Sequence, residues 1–475
     1  MTNTPPTLKN ELKLRNFFTL SLGTIIGVGW ITIMGAWLRD AGSLGTVLAF
    51  IAGGFFMTLI GLCYAEVAAM YPVSGGEVAY AYEIFGTQAS FASGWFLALS
   101  YIATVGFEVV SVGWILGALA PRIEGPVLYR VLGDDLHLGS LVVGLGVMAL
   151  ITWINYRGAR STATFQDVMT YGLLAISLVF ITAGVFGGDI RNLEPLFVRR
   201  SQGWTWMGIL AVFATTPFWL SGFDVVPQAM GEKAPGTLLS KMGRVIVSSL
   251  AVASLFYILV ILAASMSMPR GSLLTLELPA AGAFEAVFDS PLLGKAVLTA
   301  GLLGIITTWN ACFFAGSRVV FALGRGHIIP SSFGNVHPVF RSPARAVLFV
   351  GCMGSGLALL GRNALLPMVN AASASLAMVF FITCIGVIRL RRTRAQVERP
   401  YRVPGKKLIP VVAALASLLM AFLALYEPYM SAEGRFPVEW SFFIFWSILG
   451  LVFWKTAARV RQELSEDERR DRILR

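Results

Sequence analysis

Apolar residues run through this chain in long stretches, without the alternation of a half-buried strand and without the one-sided stripe of a surface helix. Twelve stretches stand out, at about 17–37, 44–70, 91–119, 139–155, 165–186, 206–230, 244–266, 292–323, 344–360, 365–388, 408–427 and 438–455. Short polar connections separate most of them. About twenty mainly apolar residues in a helix span the roughly 30 Å of hydrocarbon in a bilayer. A helix that is apolar on all sides belongs among lipid or other helices. The pattern predicts an all-α membrane protein with twelve transmembrane helices. No hydrophilic block is long enough for a separate soluble domain.

Composition agrees: 56% of residues are apolar, 13% are charged, and mean hydropathy is +0.72. A soluble chain carries about twice that charged fraction. The net charge of +11 raises nucleic acid as a partner, but its placement argues for membrane topology. With the N-terminus inside, most Lys and Arg fall in cytoplasmic pieces, the richest being 389–407 and the tail beyond 455. This positive-inside bias sets both termini in the cytoplasm, as an even helix count requires. The basic segments then read as solvated and facing lipid headgroups, with no nucleic-acid partner. The short, polar N-terminus lacks a cleavable-signal pattern, so the first helix is read as an uncleaved span. The short termini suggest a bacterial inner membrane.

Much chemistry is unsupported. GEKAPGT at 231–237 has the wrong spacing for a phosphate loop, and HExxH, GxSxG and CxxC patterns do not occur. Cys63, Cys312, Cys352 and Cys384 lie in apolar segments and read as small core residues, while His137, His327 and His337 fall in loops. No metal or cofactor is expected, and no enzyme activity.

Two segments contain helix breakers at membrane depth. The first reads Gly23-Thr24-Ile25-Ile26-Gly27-Val28-Gly29-Trp30-Ile31. Each interior glycine costs on the order of 1 kcal/mol relative to Ala. An unwound turn there frees backbone N–H and C=O groups, which only protein or a ligand-filled cavity can satisfy. The N-terminus of the following half-helix carries partial positive charge and suits a carboxylate. Close helix packing through small residues explains the glycines equally well. The sixth segment reads Thr215-Thr216-Pro217-Phe218-Trp219-Leu220-Ser221-Gly222-Phe223-Asp224, with Pro217 removing a donor and Ser221-Gly222 one turn on. Paired breaks in corresponding helices of two halves point to a transporter site. Segments one and six each open a set of five, giving an inverted repeat of 17–186 and 206–388. That repeat rests on the positional match. A cytoplasmic tail (1–16), a basic loop (389–407), two further helices (408–455) and a second tail (456–475) complete the chain.

In these motifs the sequence resembles the amino acid–polyamine–organocation superfamily of permeases. Residues 23–31 resemble its helix-1 G-[ST]-x-I-G-x-G-x-[IF] signature. Tyr64-Ala65-Glu66, Tyr71-Pro72-Val73-Ser74-Gly75-Gly76-Glu77 and Tyr80-Ala81-Tyr82 resemble its helix-2 end and following loop. Residues 218–224 resemble its helix-6 aromatic-x-x-x-G-x-[DE] pattern. Asn310, Ser317-Arg318 and the run 326–330 resemble its helix-8 exit. The likeness covers roughly 17–390. It implies a five-plus-five inverted repeat with broken helices 1 and 6, two extra helices, and movement of amino acids or related amines by alternating access. It implies that backbone around Thr24, Ile25, Gly27, Val28, Gly29 and Trp30 binds the substrate carboxylate. Carbonyls around Phe218, Ser221 and Gly222 take the amino group, with Phe218 and Trp219, and Trp30 as a third candidate, lining or gating the pocket.

Three further residues bear on charge. Glu108 sits mid-helix in the third segment, where a carboxylate costs at least ~2.5–3.5 kcal/mol and faces the interior. It suits proton carriage or a cationic substrate group, and equally a neutral, hydrogen-bonded interior role. Asp224 matches the family's acidic helix-6 position, where the resemblance implies a carboxylate that can act in proton sensing, with a local cap or interhelical bond as the alternative. Asn310, with Thr307 and Thr308, suits a cation site or interhelical contact. Glu66 reads as one half of a structural salt bridge. The fifth segment, 165–186, lacks the Lys that some proton-coupled relatives carry, so the coupling ion, H+ or Na+, stays open. The expected partners are the bilayer and a small amino acid or amine. A polyamine permease or an exchanger is the alternative, and a channel or non-transporting sensor of the same fold the third reading.

Overall fold

Backbone polar groups cannot be left unpaired in hydrocarbon, so a chain this apolar pairs them within helices. The computed structural model describes residues 12–73, 75–158, 163–199, 205–230, 233–432 and 434–474, the side chains of 163–165 excepted. Most of the predicted N-terminal tail, together with Ser74, lies outside the described residues.

The first predicted segment is broken into α1 (Leu14–Ile25) and α2 (Gly29–Thr32). α3 (Met34–Met70) bends at Gly42, which has φ +77°, so its first two turns extend α2 and the rest is the second predicted segment. Only glycine fits there: a Cβ would sit 2.8 Å from the Leu196 carbonyl oxygen. The short helix α4 (Gly76–Phe85) leads into α5 (Thr87–Leu119). An antiparallel hairpin, β1 (Val127–Val131) with β2 (Asp134–His137), precedes α6 (Leu138–Tyr156) and α7 (Ala163–Gly187). The sixth predicted segment is split into α8 (Thr205–Trp219) and α9 (Val225–Ala229). α10 (Met242–Ser267), the short α11 (Arg270–Leu273) and α12 (Pro279–Phe288), and α13 (Pro291–Arg325) follow. α14 (Ala344–Ala358), α15 (Leu365–Thr393), α16 (Leu408–Ser431) and α17 (Val438–Thr456) complete the bundle. α18 (Ala458–Glu463) and α19 (Glu466–Leu474) close the chain.

Among the described residues, ten helical spans are long and apolar enough to cross a membrane. The other two predicted segments are the split α8/α9 and the 15-residue α14. The hairpin, α4 and α12 were not predicted. Burial orders the helices: 72% of the apolar window of α5 is buried against 11% of that of α17, so α5 is central and α17 peripheral. Of the cysteines, Cys352 is exposed on α14, unlike the other three, which are buried.

Ion pairs staple the two ends. Where both termini lie, buried Glu66 of α3 accepts from Arg391 Nε (2.9 Å) and Nη2 (2.5 Å) of α15 and from the Val403 amide (2.8 Å). This is the structural bridge expected for Glu66. α19 packs on α4, with Arg470 Nη2 donating to Glu83 Oε2 at 2.9 Å. At the hairpin end Arg362 joins Glu124 (3.1 Å) and Glu277, and its guanidinium stacks over Trp114.

Candidate functional site

The two broken segments meet at the centre of the bundle. α1 ends where Ile26 leaves helical geometry (φ −90°, ψ 83°), and α2 starts at Gly29. The first N–H groups of any helix lack acceptors within it and carry partial positive charge. Neighbouring helices hold the loosened turn in place. The Tyr257 hydroxyl of α10 donates to the Ile25 carbonyl (3.1 Å), and the Thr308 hydroxyl of α13 lies 3.2 Å from the Gly23 and Thr24 carbonyls.

The second break has its own logic. Pro217 cannot donate to the Phe213 carbonyl four residues back, and the Thr216 hydroxyl donates there instead, at 2.7 Å. α8 stops at Trp219. Gly222 then takes φ +121°, a conformation L side chains rarely adopt. Asp224 fixes the turn by accepting from the Gly222 amide (2.5 Å) and from the Tyr101 hydroxyl of α5 (2.6 Å). Of the alternatives for Asp224, the structure displays the local and interhelical bonds together.

The breaks touch. A Cβ on Gly222 would lie 2.8 Å from the Ile25 nitrogen, and one on Gly29 would fall 2.0 Å from the Trp219 ring. Between them lies a small hollow. Its walls carry Thr24, Ile25, Gly27, Val28 and Gly29 from the first break and Phe218, Trp219 and Ser221 from the second. Glu108 is the one carboxyl on this wall among the described residues. It is 2% exposed, its Oε1 faces Gly27, and its Oε2 has no hydrogen-bond partner. A second hollow lies at the hairpin end, beside Asp134, His137 and Arg362.

Four of the residues singled out face elsewhere. The Trp30 ring packs on Phe180 and Phe256, 5.8 and 5.7 Å between centroids, away from the hollow. Asn310 accepts from Asn155 of α6 at 3.3 Å. Gly222 lies behind the wall, against Ile25, and Asp224 with it. The Thr307 hydroxyl bonds to its own helix. On α7, where the sequence has no Lys, Gln166 and Thr170 approach Gly23. Sequence reasoning missed Thr104, Phe107, Tyr257 and Cys312 as wall residues. Helical spacing was the available signal: Thr104 and Phe107 share a face with Glu108, and Cys312 lies one turn from Thr308. Nothing in the sequence marks Tyr257.

A family model described as amino acid permease matches residues 12–454. The methylthioribose transporter of Bacillus subtilis (strain 168) is 27% identical over 466 residues, 97% of this chain and 95% of that protein. The branched-chain amino acid permease of the same organism is 28% identical over 470 residues, with the same coverage. Human Asc-type amino acid transporter 1 is 27% identical over 472 residues, 97% of this chain and 85% of its own.

Proposed function

The chain belongs to the amino acid permease family, and from that premise we propose that it is a secondary active transporter moving an amino acid across the cytoplasmic membrane by alternating access, coupled to protons. In this reading twelve helices cross a bacterial inner membrane with both termini in the cytoplasm. Residues 17–186 and 206–388 form the two inverted repeats. One observation carries it: two helices broken at mid-length meet around a hollow, presenting main-chain groups that lipid could not satisfy. The substrate carboxylate sits at the N-terminus of α2, near Val28 and Gly29. Its amino group faces the carbonyls that end α8, near Phe218. The names of two of the relatives, as amino acid permease and transporter, favour the same substrate class.

The test is uptake by proteoliposomes of labelled amino acids and amines, with and without pH and sodium gradients. Saturable accumulation of an amino acid driven by a pH gradient is the expected result. Downhill equilibration that ignores every gradient contradicts active transport and points to a channel.

Glu108 favours a second reading, an amine or polyamine substrate, because its carboxyl faces the hollow without a cationic partner. In either case it is expected to receive a substrate ammonium. A charge-assisted hydrogen bond of this kind contributes about 1.5–3 kcal/mol, so Glu108→Gln lowers kcat/KM by roughly ten- to a hundredfold. Unchanged uptake rate, selectivity and pH profile in that variant would remove Glu108 from the site.

A further inference from the structure

Beneath the second break, towards the end that carries the termini, lies a polar cluster that the transport reading leaves unused. Glu77 opens α4 and is 0% exposed. Its Oε2 accepts from the Gln228 amide of α9. Its Oε1 has no partner, and neither do the hydroxyls of Tyr64 and Tyr80, both fully buried beside it. Asp224, equally buried, lies opposite, bonded to Tyr101 and to the Gly222 amide. Glu77 therefore faces Tyr64 from α3, Tyr80 from its own helix, Tyr101 from α5, and Asp224 and Gln228 from the second break and α9. The cations seen against α4 are engaged elsewhere: Arg394 of α15 and Arg470 of α19 both pair with Glu83, and Arg389 of α15 stacks over Phe85.

Two carboxyls in one dry site, without a cation between them, cannot both ionise cheaply. Burial, with Asp224 opposite, pushes the Glu77 carboxyl well above the usual carboxylate range. Glu77 also ties two elements together. It opens α4, the segment that follows the second span, and it is hydrogen-bonded to α9, the half-helix beyond the second break.

We propose that Glu77, paired with Asp224, is the proton-binding site of this transporter, holding one proton while the end that carries the termini is closed and releasing it to the cytoplasm as α4 and α9 part. This rests on the transport reading above. The release is a simple ionisation: the Glu77 O–H bond breaks, the electron pair stays on the carboxylate, and the proton goes to water. The sign follows from linkage. The closed form binds the proton more tightly than an open, hydrated one, whose carboxyl ionises near the ordinary value of about 4.3. Closure is favoured while Glu77 stays protonated and weakens as cytoplasmic pH rises through its closed-state pKa.

The experiment compares wild type, Glu77→Gln and Glu83→Gln in proteoliposomes, using a mixture of radiolabelled proteinogenic L-amino acids as probe. Counterflow without a pH gradient and accumulation driven by an acidic exterior are both recorded. Glu77→Gln cannot ionise. It is expected to keep counterflow within about twofold of wild type, showing that it folds, and to lose gradient-driven accumulation and the pH dependence of transport. Glu83→Gln is expected to keep both. Concentrative, pH-driven uptake by Glu77→Gln overturns the proposal, and so does loss of counterflow in parallel with accumulation, which marks a structural role. Wild type that exchanges these amino acids but ignores the pH gradient also overturns it. Wild type without counterflow of any of them overturns the transport reading itself.

Discussion

Gly222→Val is expected to abolish uptake while leaving the protein folded. Gly222 holds φ +121° at the second break, a region essentially reserved for glycine, where a side chain costs of order 1–3 kcal/mol. Its Cβ would also stand 2.8 Å from the Ile25 nitrogen and 3.0 Å from the Thr24 carbonyl carbon. Those are backbone atoms of the first break and cannot rotate aside. Overpacking of this kind costs about another 1–3 kcal/mol. The two breaks must then separate or rewind, and either change removes the main-chain groups from the hollow. Initial uptake, normalised to protein in the vesicles, should fall by at least a hundredfold. Gly146→Ala, where nothing lies within 4 Å of an added Cβ, serves as the control and should leave uptake near wild type. Wild-type uptake by Gly222→Val would mean that the close approach of the breaks has no part in transport.

Glu66→Ala is expected to produce the largest loss of stability. The Glu66 and Arg391 side chains are 1% and 7% exposed, and Arg399 approaches the same carboxylate at 3.5 Å. Removing one partner of a buried ion pair leaves the other charge stranded, which costs about 3–5 kcal/mol. The exposed pair Arg459–Glu463, at 3.6 Å, gives the contrast. Breaking it should cost no more than about 1 kcal/mol. Thermal unfolding in detergent checks both: a clear fall in Tm for Glu66→Ala and almost none for Glu463→Ala. Equal Tm values in the two variants would contradict a stapling role for Glu66.

The spans were legible because lipid imposes a blunt rule: about twenty apolar residues with every backbone bond made internally. Each of the twelve predicted segments is helical in the structure. α4, α12 and the β1–β2 hairpin escaped notice because they are short, and no hydrocarbon thickness sets their length. The breaks were legible for a related reason, since Gly27, Gly29, Pro217 and Gly222 stand where a helix former is expected. Rotation about the helix axis was not. Asn310 lies two residues beyond Thr308, about 200° around the helix, so it meets Asn155 while Thr308 meets the hollow. Trp30 follows an unwound turn, across which helical phase does not carry, and its ring ends against Phe180 and Phe256. The sequence marks Glu77 only as part of a motif. Its burial comes from α4 packing under α9, a contact between segments about 150 residues apart that leaves no local trace.

The central claim is that main-chain groups freed at Gly27–Gly29 and at Phe218–Ser221 grip the carboxylate and amino group of an amino acid. Competition tests it most directly. Purified protein should bind a labelled substrate that is displaced by the parent amino acid, but not by its decarboxylated amine or its methyl ester at a hundredfold higher concentration. Displacement by the amine at the concentration of the parent amino acid would contradict the account, because the break in the first helix would then have no carboxylate to hold.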